Sequence, residues 1–191
     1  MTKTKTELKQ ALVALIKQRS FQSGGEIKLA SGRTSSFYFN MKPTMLNPMG
    51  AHLIATLILD QLAQDGIEAD MIGGLEMGAV PLASAVAAIS AAGPRPLHAF
   101  FVRKQAKEHG TQSLVEGLAK GETLTGKKVV IVEDVTTTGG SAIKAAEAVA
   151  RDGGEVVRVI TIVDRREGAT EAFANAKLDF RPLLTITDFV G

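Results

Sequence analysis

Residues 127–141 read KKVVIVEDVTTTGGS, and no other stretch constrains the fold as strongly. Positions 129–132 are apolar without interruption, the pattern of a strand buried on both faces. The strand runs straight into two acids, Glu133 and Asp134. Thr136, Thr137, Thr138, Gly139, Gly140 and Ser141 then open a helix expected over 141–151. Strands buried on both faces belong to parallel sheets covered by helices, whose ligands sit beyond the carboxyl ends of the strands. The acid pair and the glycine loop are therefore expected at that rim.

The rest of the chain agrees with an α/β architecture. Helical spacing over 6–19 aligns Leu8, Leu12, Leu15 and Ile16. Short extended pieces are expected at 27–29 and 36–41, around a turn at Ser31-Gly32. Asn47-Pro48 is a helix start, and the helix is expected to reach Gln64. From residue 71 strands and helices alternate. Strands are predicted at 71–74, 97–102, 129–132, 156–163 and 183–186, and helices at 80–92, 141–151 and 169–175. Between 103 and 126 there is no periodicity, and a loop of that length in a compact domain usually has a function.

Length and composition narrow the function. A chain of 191 residues fits one domain with a full core. It has no Cys, which excludes a disulfide framework, a thiolate nucleophile and a Cys-ligated metal. A net charge of +2, with eight Phe, one Tyr and no Trp, is a poor footprint for nucleic acid. The opening MTKTKTELKQ lacks the apolar run of a signal peptide. The run 79–92 contains Pro81 and falls short of the roughly 20 residues that span a bilayer. No membrane association and a cytoplasmic setting are the expectation.

The chemistry of 133–141 points to a sugar phosphate. Glycines let backbone approach a ligand, and free N–H groups at a helix start attract an anion. Thr and Ser hydroxyls donate to phosphate oxygens. Two carboxylates beside a phosphate need something between them, because like charges at about 4 Å repel by roughly 4 kcal/mol at an effective dielectric of 20. Vicinal ribose hydroxyls or a divalent cation resolve the conflict. A Walker A loop needs a Lys that is missing here, and the dinucleotide Gly-x-Gly-x-x-Gly is missing too. Residues 103–117, RKQAKEHGTQSLVEG, gather Arg103, Lys104, Lys107 and His109, which are suited to a multiply charged anion such as pyrophosphate.

The segment KKVVIVEDVTTTGGS resembles the phosphoribosyl-diphosphate (PRPP) motif of type I phosphoribosyltransferases. RKxxKxHG followed by Glu-Gly is similar to the mobile loop of the orotate phosphoribosyltransferases. LASGRTSSFYFN at 29–40, GGLEMGAVP at 73–81 and IVDRREG at 162–168 also resemble segments of that family. The resemblance implies a type I phosphoribosyltransferase fold: a central, mostly parallel sheet flanked by helices, with a small N-terminal hood over about 1–45. The core over about 46–191 would bind PRPP and carry a mobile loop at 103–126. The implied reaction gives orotidine 5′-monophosphate and pyrophosphate from orotate and PRPP, with Mg²⁺ bound mainly through PRPP and no firm protein ligand. A homodimer is implied, each loop reaching the partner's site.

Residue by residue, the resemblance assigns PRPP to Arg103, Lys104, Lys107, His109, Glu133, Asp134 and Val135, and to the loop 136–141. Lys107, His109 and Asp134 are nearest the chemistry. It assigns orotate to Thr137, Tyr38, Phe39 and Arg165, with Arg166 as the competing choice. Glu76, Met77 and Gly78 would meet pyrophosphate through backbone groups. The family often has Lys where this chain has Ala30, and Lys28 and Lys42 are nearby. His52 and His98 read as structural. Two alternatives stay open: a purine or xanthine phosphoribosyltransferase, and a non-catalytic PRPP-sensing regulator that binds nucleic acid.

Overall fold

The computed structural model describes residues 4–28, 34–105 and 113–190. Helix α1 (Lys5–Arg19) starts in a capping box. The Thr4 hydroxyl accepts from the Glu7 amide at 3.2 Å, and Glu7 Oε2 accepts from the Thr4 amide at 2.6 Å. Leu8, Leu12 and Ile16 are its buried stripe, as their spacing predicts. Strands β1 (Phe21–Lys28) and β2 (Thr34–Phe39) form an antiparallel ribbon. The expected turn at Ser31-Gly32 lies outside the described residues.

A short helix, α2 (Lys42–Met45), leads into α3 (Pro48–Gln64). The Asn47 carboxamide oxygen caps α3, accepting from the Met49 and Gly50 amides at 3.1 and 3.2 Å. Strand β3 (Met71–Gly73) and helix α4 (Ala79–Ser90) follow. The predicted strand at 97–102 divides in two. β4 (His98–Ala99) pairs with β3, whereas β5 (Phe101–Val102) pairs antiparallel with β6 (Val115–Glu116). Then come β7 (Lys128–Thr136), α5 (Gly140–Arg151), β8 (Glu155–Asp164), α6 (Ala169–Asn175) and β9 (Leu184–Thr185).

The main sheet has five strands in the order β4-β3-β7-β8-β9, and every pairing is parallel. Side chains alternate across it. Val130, Val132, Ile160 and Ile162 pack with α1, α3 and α4, while Val129, Ile131 and Val159 pack with α5 and α6. Both faces are dry, which explains why 129–132 is uninterrupted hydrophobe. Phe21 and Phe39, paired across the ribbon, both pack on Phe189, at 5.5 and 5.0 Å between ring centroids. Among the described residues no helix is long and apolar enough to cross a membrane.

Candidate active site

Strand β7 is central, and its carboxyl end delivers Glu133 and Asp134 to the rim. Turning from this strand into α5 within three residues requires a left-handed backbone at Gly139, whose φ is +81°. A Cβ there would lie 2.9 Å from the Phe173 ring, so position 139 excludes any side chain on two grounds. No side chain caps α5, and the loop amides at its start carry the anion-attracting character expected of 139–141.

The two acids have different surroundings. Glu133 Oε2 accepts from the Thr136 hydroxyl at 2.8 Å. Burial pushes the Glu133 carboxyl up to about 7, and the neighbouring Asp134 charge adds to this; bonds from Thr136 and Ser141 oppose it. Burial also raises Asp134, opposed by backbone amides and by the positive charge of Lys42. Gly78, just before α4, approaches Asp134 so closely that a Cβ would stand 2.7 Å from Oδ1. The Thr136 side chain is buried and serves Glu133, so of the expected hydroxyl run only Thr137, Thr138 and Ser141 remain at the surface of the loop.

A cleft of about 470 Å³ opens beside the acids, bordered by Glu76, Met77, Gly78 and Ser141 and by the lysines Lys42 and Lys104. The Glu76–Met77 peptide is cis. Glu76 Oε1 accepts from the Lys104 amide at 2.9 Å, tying the end of β5 to this turn. Arg103 lies 3.6 Å from Glu116. Lys107 and His109 lie outside the described residues. The hard-oxygen donors here are two adjacent carboxylates. Among the described residues no three His, Asp or Glu side chains gather into a metal-holding group. This donor set fits a divalent cation shared with a polyphosphate.

Arg165 follows β8, and its amide donates to the Thr136 carbonyl at 3.0 Å, next to Thr137. Its guanidinium is buried beneath the ribbon. Nη2 donates to Ser35 Oγ at 3.2 Å and pairs with Glu167 Oε1 at 2.6 Å, and Cζ stands 4.8 Å over the Phe37 ring. Arg166 has φ +57° and is exposed. Of the two arginines, Arg165 is the one turned into the fold.

The expected aromatic pair does not act together. Phe39 is core, buried among Phe21, Phe37 and Phe189, while Tyr38 is exposed on the opposite face of β2. Strand alternation puts Ser35 and Phe37 toward Arg165, so Phe37 is the aromatic at that position. Period-two reading of 34–39 carried this signal. Lys42 was legible only as a nearby cation, because the helix that aims it into the cleft is a single turn. His52 and His98 are exposed on α3 and β4. A larger cleft, about 820 Å³, lies at the opposite rim around Glu68, Asp70, Arg95 and Lys127, away from the Glu133–Asp134 pair and its glycine loop.

Comparison with known proteins agrees with this geometry. The phosphoribosyl transferase domain matches residues 46–179. An orotate phosphoribosyltransferase of Rhodopseudomonas palustris (strain BisB5) is 58% identical over 188 residues, covering 98% of this chain and 99% of the relative. One from Methanosphaera stadtmanae is 41% identical over 96% of this chain and 97% of its own. The Mycobacterium tuberculosis orotate phosphoribosyltransferase with Fe(III) dicitrate superposes with a TM-score of 0.81 at 38% identity, covering 96% of this chain and 99% of its own. The same enzyme in complex with PRPP gives 0.76 at 36% identity, covering 95% and 98%. With an acid pair and glycine loop ending the central strand, and with these relatives matching nearly end to end, the chain belongs to the orotate phosphoribosyltransferase family of phosphoribosyl transferases.

Proposed function

We propose that this protein transfers the ribose 5-phosphate group of PRPP to N1 of orotate, releasing pyrophosphate and forming orotidine 5′-monophosphate for pyrimidine synthesis in the cytoplasm. The observation that carries the reading is the Glu133–Asp134 pair at the end of β7, set between a glycine loop and the lysine-bordered cleft. The acids accept hydrogen bonds from the ribose hydroxyls, with the Val135 backbone beside them. Thr137, Thr138, Gly139, Gly140 and Ser141 hold the 5′-phosphate. The bond from the anomeric carbon to the pyrophosphate oxygen breaks as the bond to N1 forms, and the N1 proton passes to the leaving pyrophosphate or to solvent. No protein nucleophile is needed, and catalysis is positioning and charge stabilisation. Arg103, Lys104, Lys107 and His109 neutralise the leaving group and exclude water as their segment closes. Mg²⁺, when bound with PRPP, supplies further neutralisation of the pyrophosphate oxygens. Arg165 faces the orotate carboxylate, beneath a hood formed by residues 1–45.

Lys42 is a cation bordering the cleft, in a chain that has Ala at position 30 where the family often has Lys. Lys42→Met is expected to raise the KM for PRPP about tenfold, with the KM for orotate little changed, as measured by initial rates. An unchanged KM for PRPP removes Lys42 from the PRPP site.

The reaction is tested by following the near-ultraviolet absorbance of orotate with PRPP and Mg²⁺, with hypoxanthine, xanthine and adenine in parallel. Loss of orotate absorbance is expected. Turnover of a purine instead would reassign the base, and PRPP binding without turnover would favour a regulator. A homodimer is part of the reading, supported by the exposed apolar side chains of Leu46 and Met77 at the cleft and of Met49. Sedimentation of the same preparation is expected to give two chains per particle, and a monomer at micromolar concentration rejects it.

A further inference from the structure

We infer that Glu167 is a specificity-determining residue: its carboxylate holds Arg165 in the free protein and must give way to a carboxylate carried by the substrate. The inference rests on the reading of Arg165 as the orotate partner.

The Arg165 side chain is 6% exposed. A charge so buried needs a counterion. Among the described residues, the ion pair that Arg165 makes is with Glu167, 2.6 Å from Nη2. Glu167 is two residues further on, after the left-handed Arg166, and its side chain is 32% exposed. One partner is thus fixed in the fold, while the other stands at the solvent boundary. The pairing is also incomplete. Arg165 Nε is buried without a hydrogen-bond partner, although Nη2 beside it has two. A planar carboxylate laid along that edge of the guanidinium takes both Nε and Nη2, which one Glu167 oxygen does not. Ser35 and Phe37 hold the guanidinium plane in place for it.

Two consequences separate this role from simple support. An internal carboxylate that occupies Arg165 lowers the apparent affinity of any ligand that uses the same edge. Orotidine 5′-monophosphate keeps the carboxylate of orotate, so Glu167 also competes with the product and helps it leave. A base without a carboxylate gains nothing at Arg165 that Glu167 does not already provide.

The test is Glu167→Gln, which keeps size and a hydrogen-bonding oxygen but removes the charge. Calorimetric binding of orotate in the presence of pyrophosphate, and of orotidine 5′-monophosphate alone, is expected to tighten about three- to tenfold for both ligands, with PRPP affinity unchanged. Unchanged or weaker binding of either carboxylate ligand overturns the inference, because a merely supporting Glu167 would loosen the site when removed. Glu167→Ala is measured in parallel, so that a packing defect peculiar to Gln is recognised. Arg165→Leu separates the two levels of argument. If it leaves orotate binding intact, the assignment of Arg165 falls, and this inference with it. If it weakens orotate binding while both Glu167 variants fail to tighten it, the Glu167 inference alone is rejected.

Discussion

Asp134→Ala protein is expected to fold normally and to turn orotate over at least about a hundredfold more slowly than the native chain. The magnitude is that of removing one preorganised polar group from a site where charge develops. The integrity of the fold follows from the surroundings of Asp134. Burial raises its pKa, so the ionised carboxylate is there at a free-energy penalty, and alanine relieves that penalty. The space vacated lies against Gly78, at the open cleft rather than in the core. The kcat from orotate absorbance, together with a thermal melt, reads both halves of the prediction. A turnover within about twofold of native, with an unchanged melt, would remove Asp134 from the chemistry.

Glu133→Gln should separate stability from activity in a pH-dependent way. The Glu133 carboxyl sits at about 7 in the folded chain, above its ordinary value of 4.5. Between those values folding takes up a proton. The stability linked to this group is therefore fully present below pH 4.5 and is lost as pH rises through 7. Glutamine cannot ionise and escapes the loss. Relative to the native chain, the variant is expected to gain up to about 3 kcal/mol above neutrality. That corresponds to a melting temperature higher by several degrees at pH 8, with the gap closing toward pH 4. Scanning calorimetry across this range is the check. A difference that is constant with pH, or a variant less stable at pH 8, contradicts a raised Glu133 carboxyl. Activity should fall at every pH, because glutamine places an amide where a ribose hydroxyl donates.

Much of this site was legible in the sequence because its parts are contiguous. A strand, two acids, hydroxyls and glycines in order specify the rim of a parallel sheet, and Asn47-Pro48 fixes the start of α3. What was hidden depends on which way side chains point after the chain turns. Tyr38 and Phe39 are adjacent in sequence, but alternation sends one outward and one into the core, and puts Phe37 with Arg165. The strand at 97–102 looked continuous because Phe101 and Val102 are apolar like Leu97. Its partner after Phe100 is β6, a two-residue strand too short to show periodicity. Thr136 looks like its neighbours in the hydroxyl run, and only its burial beneath the loop gives it to Glu133. The contact of Glu167 with Arg165 depends on the positive φ of Arg166, which a non-glycine residue does not advertise.

The two halves of the site rest on foundations of unequal strength. The phosphate side hangs from β7, which is hydrogen-bonded on both edges to β3 and β8. Its amides are expected to exchange with solvent only when the whole domain opens. The roof over Arg165 belongs to β1 and β2, which pair only with each other in their sheet. Two-stranded ribbons are marginal alone, and this one packs on the rest of the fold through Phe21 and Phe39 against Phe189. Sub-global opening is therefore expected to lift Ser35 and Phe37 away while the acid pair and glycine loop stay formed. Such a state would still grip a phosphate but no longer recognise a base.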